Sequence, residues 1–358
     1  VIAVFTLWGA SYKNAENLEK VRLGVDRIIL FAQEEFSCTS NNTFFRELAE
    51  QSNSQNVPFE IVIGSSSQFL LNFDITHYKN ITIHSWGTYW MLRIVSLLPH
   101  DEAPSYAPGL TYPFICLNNR SHLHRCMMID QLEKYDLIKD AAVSWRDELQ
   151  SGHGPSIKLD DPLLSHLHDD SFLFKYWKPK RIFLTEPGDR LESLQLGGTP
   201  QEYRCSFAHL VTESSADIII FSEKTCIPIL QGKPFITLAA PGYHAELIKL
   251  GFVLYDEMFD YSFDRKTDLS VRCEAIALNM KKISKMSVHE RKAMYYGKLL
   301  PKIKHNHQRY MEILSDTSLV PDIIKDAVKY PAAYYTAGYA GMQNLTAMFY
   351  YINKSILT

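Results

Sequence analysis

The sequence predicts an α/β protein made of two doubly wound, Rossmann-like parallel-sheet domains. Three observations carry that expectation. Short β-branched and aromatic runs alternate with amphipathic stretches, the pattern of strands joined by crossover helices. The alternation stops at residues 99–113, which hold Pro99, Pro104, Pro108, Gly109 and Pro113. Proline removes a backbone donor and fixes φ, so this segment reads as a linker. The alternation then resumes. A chain of 358 residues has room for two ordinary domains.

The first domain, residues 1–111, opens with a strand at 1–7. A helix at 17–25, a strand at 27–32, a helix at 43–51 and a strand at 59–64 follow. The last of these ends in Gly-Ser-Ser-Ser. A strand at 80–84 then leads into an aromatic helix at 86–97.

The second domain, residues 112–300, begins with a strand at 112–117. A helix at 121–134 carries Met127, Met128, Ile129 and Leu132 as its apolar positions, and a short strand lies at 141–144. The stretch 150–173 is rich in Gly, Pro, Asp and His and reads as a long surface or substrate-facing connection. Strands are expected at 207–213, 218–221, 234–239 and 252–255, with helices at 224–231 and 243–250. A long helix covers 287–314. Residues 301–358 form a C-terminal helical segment expected to return to the first domain, with one or two helices in the aromatic tail 330–357.

Composition narrows the function classes. The apolar fraction is 46% and the charged fraction 22%, as in a globular protein. Net charge is −3, so bulk electrostatics does not favour nucleic acid or an anionic membrane. A basic groove in the first domain would reopen the nucleic-acid reading. The apolar runs at 28–32 and 218–221 are far below the roughly 18 residues that span a bilayer, so no membrane span is expected. No secretory leader is expected ahead of the first strand. The cysteines are scattered without zinc-like spacing and read as free thiols of a reducing compartment.

Two constellations carry chemistry. In Phe114-Ile-Cys-Leu-Asn-Asn-Arg-Ser-His-Leu-His-Arg125 a strand runs through a turn into a helix. Arg120 lies in the turn and Arg125 in the helix, at the strand end that faces a ligand crevice in parallel sheets. A helix N-terminus and two guanidinium groups there suit a diphosphate. The same spacing also suits surface arginines in salt bridges. His122 and His124 have no carboxylate or cysteine at ligand spacing, so they read as helix-surface or hydrogen-bonding groups and no metal site is expected.

The second constellation runs from Asp217 to Ile236. A strand is followed by Ser222 as helix N-cap, then Glu223 and Lys224. The helix closes at Gly232 as its C′ residue, with Pro234 beyond. Together this reads as one βαβ unit. Pro228 requires a place near the first turn of that helix. An acid at the helix start can bond ribose hydroxyls, and Lys224 can neutralise a phosphate. The plain alternative for the acid is a partner for the helix dipole. Glu213, ending the preceding strand, reads equally as a sugar or acceptor contact and as a capping acid.

These residues bear a resemblance. Arg120 with His124-Arg125, then Phe221-Ser-Glu-Lys-Thr, Pro228-Ile-Leu-Gln-Gly-Lys-Pro-Phe and Leu250-Gly-Phe resemble a group of glycosyltransferases from large DNA viruses, phages and marine bacteria. The Glu223-Lys224 block is also similar to the donor-site segment of the α-1,3-fucosyltransferases. The resemblance covers roughly 114–264. It implies a nucleotide-sugar donor as co-substrate, with no further cofactor, and a glycan or other hydroxyl acceptor. It places Glu223 on the ribose, Lys224 and Arg120 on the diphosphate and Arg125 in support. Thr225, next in the same turn, and Glu213 complete the donor-side set. Fucosyltransferases usually carry an aromatic residue or arginine soon after Glu-Lys, where this chain has Thr225 and Cys226, so their sugar preference is not carried over.

Further expectations follow from the resemblance. Metal-using enzymes of this kind commonly carry Asp-x-Asp, whereas Asp160-Asp161 and Asp169-Asp170 are adjacent pairs. Cationic side chains and a helix N-terminus then become the electrophilic element, in an inverting, metal-independent enzyme of the GT-B arrangement, two domains facing a cleft. A general base is expected from the first domain, with Glu34, Glu35, Asp74, His77 and His84 as candidates. The location expected is cytoplasmic, the host cytoplasm if the chain is viral. A binding module without catalysis and a transferase acting on modified viral DNA bases are the alternatives.

Overall fold

The computed structural model describes residues 2–7, 27–32, 50, 58–64, 80–89, 91–92, 110–118, 122–144, 201–329 and 333–336. The helix expected at 17–25, nearly all of that at 43–51, the connection at 150–173 and the tail beyond 336 lie outside these residues.

The described elements are β1 (Ile2–Leu7), β2 (Arg27–Ala32), β3 (Phe59–Ile63), β4 (Ile81–Ser85), β5 (Tyr112–Leu117), α1 (Leu123–Lys134) and β6 (Ala142–Ser144). After them come α2 (Gln201–Cys205), β7 (Ser206–Thr212), α3 (Glu223–Leu230), β8 (Phe235–Leu238), α4 (Tyr243–Lys249), α5 (Leu269–Ser284) and α6 (Val288–Met294). The series closes with α7 (Leu300–Ser315), α8 (Asp322–Lys329) and β9 (Ala333–Thr336). The fold is α/β, with two sheets of parallel strands. The chain divides into two compact units. One is Val1–Ser96 with Asp217–Phe221 and Met311–Thr358; the other is Leu97–Ala216 with Ser222–Tyr310.

In the first unit the strand order is β4-β3-β2-β1-β9. Phe59, Ile61, Val62 and Ile63 of β3 are all buried, which a strand covered on both faces requires. β9 pairs in parallel with β1, Ala3 opposite Ala333. The part of the aromatic tail that is described is therefore a strand where helix was expected.

In the second unit the order is β6-β5-β7-β8. β7 is central and every one of its residues is buried. The chain steps outward from β5 to β6, returns to the far side of β5 with β7, and continues outward to β8. The direction of winding thus reverses between β5 and β7.

Helix ends in this unit follow local chemistry. α1, α3 and α4 each finish in a Schellman motif. The C′ residues Asp136, Gly232 and Gly251 have φ of 56°, 65° and 91°. The C″ nitrogens of Leu137, Lys233 and Phe252 donate to the carbonyls of Leu132, Pro228 and Leu247. Pro228 lies in the second turn of α3, deeper than the first-turn place the sequence suggested, and so removes the donor that would bond the Lys224 carbonyl. The helix expected at 287–314 is three pieces: α6, closed at its start by a Ser287–Glu290 capping box, a π-helical turn at Tyr295–Leu299, and α7.

Two expected strands are absent. Residues 218–221 are apolar, and Ile219, Ile220 and Phe221 are buried, yet no ladder forms. β7 and β8 are direct neighbours, so the sheet has no slot between them. The βαβ unit is therefore β7–α3–β8. Residues 252–255 also form no strand. The side chain of Asn306 substitutes for a neighbouring strand: its Oδ1 accepts from Val253 N at 2.8 Å, and its Nδ2 donates to Val253 O at 2.9 Å.

Lys233 and Asp264 are among the buried polar groups of this unit. Lys233, just before β8, is 4% exposed. Its Nζ donates to the Ser206 carbonyl and lies 4.9 Å from the centre of the Tyr203 ring. No carboxylate pairs with it among the described residues. Asp264 anchors the start of α4, accepting from His244 N at 3.0 Å, Ala245 N at 3.2 Å and His244 Nδ1 at 2.7 Å. The other ring nitrogen of His244 accepts from Thr237 N at 3.3 Å. Those partners fix the tautomer and make the pair a structural one.

Candidate functional site at the carboxyl ends of β5 and β7

In open parallel sheets, ligands bind outside the carboxyl ends of the strands where the winding reverses. Here that point lies between Leu117 and Thr212, the last residues of β5 and β7. The strand ends are tied together by side chains. Thr212 Oγ1 donates to Asn118 Oδ1 at 2.7 Å, and Asn118 N bonds both Ser144 O and Ser144 Oγ at 3.2 Å. α1 starts after β5 and α3 after β7, so two helix N-termini flank the reversal.

Glu213 joins them. Its main-chain oxygen accepts from His124 Nε2 at 2.8 Å and Arg125 Nη2 at 3.1 Å, both from the first turn of α1. Its carboxylate reaches α3: Oε1 accepts from Ser222 N at 2.9 Å, and Oε2 from Ser214 N at 2.7 Å and from the Ser222 hydroxyl. Tyr243 OH lies 3.2 Å from Oε1 and 2.7 Å from Thr225 Oγ1. A carboxylate only accepts, so the tyrosine proton goes to Glu213 and Thr225 donates to the tyrosine oxygen. Each carboxylate oxygen thus holds two donors, which fills its lone pairs.

Burial raises the Glu213 carboxyl above its ordinary range, opposed by the Lys224 charge and the Ser222 bond. Burial and the Arg125 charge push His124 down to about 3. At neutral pH its ring is uncharged, and the bond to the Glu213 carbonyl places its hydrogen on Nε2.

Glu223 and Lys224 head α3 beyond this buried layer. Ser222 is the N-cap, its hydroxyl accepting from Lys224 N at 3.3 Å. Lys224 Nζ donates to Glu223 Oε1 at 2.7 Å and Ser214 Oγ at 2.8 Å. Their side chains keep 17% and 27% of their surface, so solvent reaches the pair. Among the described residues the third ammonium hydrogen has no acceptor. Burial alone would raise Glu223, but the Lys224 charge and hydrogen bond outweigh it and hold the carboxyl below its ordinary value.

The structure thus brings together Arg125, Glu213, Glu223, Lys224 and Thr225. Arg125 and Thr225 are buried, Thr225 completely. Arg120 lies outside the described residues, as do Glu34, Glu35, Asp74 and His77. His84 lies in the first unit on β4, with Nε2 2.6 Å from Glu60 Oε2 on β3. Ser214 and Tyr243 carry bonds at this site that the sequence did not announce. Ser214 had a signal, its place two residues past the carboxyl end of β7; Tyr243 is distant in sequence and gave none.

Among the described residues, no group of three or more His, Cys, Asp or Glu is arranged to hold a metal ion, and no helix is long and apolar enough to cross a membrane. A surface hollow lined by Asp260, Ala275, Leu278, Asn279, Lys281, Lys282 and Lys285 shares no residue with the strand-end site.

No family model, curated protein or solved structure matches the chain.

Proposed function

We propose that the chain is a glycosyltransferase that takes its nucleotide-sugar at the carboxyl ends of β5 and β7. The observation that carries this reading is Lys224. An ammonium with one donor uncommitted among the described residues heads a helix at the point where the winding of a parallel sheet reverses. A leaving diphosphate gathers negative charge as the glycosidic bond breaks. A fixed ammonium and the N-termini of α1 and α3 stabilise that charge without reorganising. Glu223, held ionised by Lys224, is placed to accept from ribose hydroxyls. The resemblance at Phe221–Thr225 supports the same roles. With this reading go an inverting, metal-independent reaction, a hydroxyl acceptor and the GT-B arrangement.

The test is a thermal-shift screen of nucleotide-sugars, followed by titration of any that stabilises the chain. Lys224→Ala removes one charge-assisted bond to phosphate, so donor affinity is expected to fall roughly 10- to 100-fold. Unchanged affinity in this variant refutes the donor site. Binding without transfer to any acceptor refutes the enzyme and leaves a binding module.

A further inference from the structure

We infer that Glu213 is a positioning residue: it touches no ligand but holds the Lys224 ammonium in place, through Ser214 and Ser222, at the head of α3. The inference deepens the proposed function and rests on it for the meaning of Lys224.

The bonds around Glu213 leave it no capacity to do otherwise. Two donors meet each carboxylate oxygen, so a sugar hydroxyl would have to displace a protein group. Glu213 is 1% exposed, below the layer that solvent reaches. Its partners are the groups that aim Lys224. The Ser222 hydroxyl donates to Glu213 and in turn accepts from Lys224 N, fixing the first turn of α3. Ser214 N is held by Oε2, and the Ser214 hydroxyl then receives Lys224 Nζ. On the opposite side, the Glu213 carbonyl bonds His124 and Arg125, so α1 is held to the same residue. One buried residue therefore fixes both helix N-termini and the lysine at the head of α3. A glutamine at this position keeps the shape but exchanges one acceptor oxygen for an NH2 facing two donors.

The experiment follows the Lys224 ammonium directly, as its proton–nitrogen NMR signal in the full chain without ligand. In the wild type the bonds to Ser214 and Glu223 slow proton exchange with water. Glu213→Gln and Ser214→Ala are both expected to speed that exchange roughly 10-fold, the effect of losing one such bond. Ser214→Ala removes an acceptor of Lys224 itself and so calibrates the loss of one bond; Glu213→Asp, which keeps the buried charge but draws it back from Ser214 and Ser222, decides the matter if Glu213→Gln does not fold. A wild-type ammonium signal in the folded variants overturns the inference. A second arm titrates inorganic pyrophosphate. If the wild type binds it and Glu213→Gln binds it roughly 10-fold more weakly at a temperature where both are folded, positioning and function stand together. If the wild type does not bind pyrophosphate while the exchange rates shift as expected, the positioning role stands and the donor-site reading fails.

Discussion

Replacing Lys233 by methionine should change how stability depends on pH, and the size of the change follows from the burial of the amine. Burial drives the Lys233 ammonium from its ordinary 10.5 down to about 7. Between those values the unfolded chain holds a proton that the folded chain lacks. Wild-type stability therefore rises with pH across this window, by about 1.4 kcal/mol per pH unit where the slope is full. Below pH 7 both states are protonated and the whole penalty, about 5 kcal/mol, is present. Neighbouring rings do not titrate in the window: burial holds His209 at about 3 and Tyr203 well above its ordinary value. Lys233→Met keeps the length of the side chain and loses the amine, along with its bond to Ser206 O and its contact with Tyr203. Urea unfolding of both proteins at pH 6, 7, 8 and 9 gives the difference between them. That difference should move in favour of the wild type by about 2–3 kcal/mol from pH 6 to pH 9. Parallel curves would refute the reasoning, because they would mean that the amine is charged in the fold or already reaches water.

Two further variants test packing in the second unit. Asp264→Asn removes a carboxylate that holds three donors at the start of α4, and should cost about 2–3 kcal/mol in urea unfolding at pH 7. Burial alone would raise the Asp264 carboxyl, but the bonds from His244 outweigh it and hold it below its ordinary 3.8. Its contribution is thus complete above that value and lost as pH falls through the lower folded one; a wild-type advantage that does not shrink as pH is lowered below 3.8 would contradict this. Gly251→Ala places a Cβ 2.7 Å from Arg309 Nε on a residue with φ of +91°, and that Nε already donates to Leu250 O at 2.6 Å. It should destabilise the chain by about 2 kcal/mol or more, read as a lower urea midpoint, and an unchanged midpoint would show that Arg309 moves aside freely.

Much of the second unit was legible because its strands and caps use strong local signals. The run before Asn118 and the Ser222–Gly232 frame gave β5 and α3 to within a residue or two. Residues 218–221 misled because an apolar run records burial and not pairing: Ile219 and Ile220 are buried without a ladder partner. Residues 252–255 misled for a related reason, since Asn306, distant in sequence, supplies the bonds that a strand would have needed. At the site, the head of α3 was legible from Ser222-Glu-Lys. The role of Glu213 was not. Whether it faces a ligand or the interior depends on Tyr243 and Arg125, whose approach is set by the assembled sheet.

The partner of β1 on one side is β9, so Ala3 waits for Ala333. During synthesis the outer edge of β1 presents open amides and carbonyls until residues 333–336 have been added. An open strand edge recruits other chains. Chains that stop short of residue 333 would keep that edge permanently. Termination before residue 333 therefore matters less for what it deletes than for the sticky border it leaves behind.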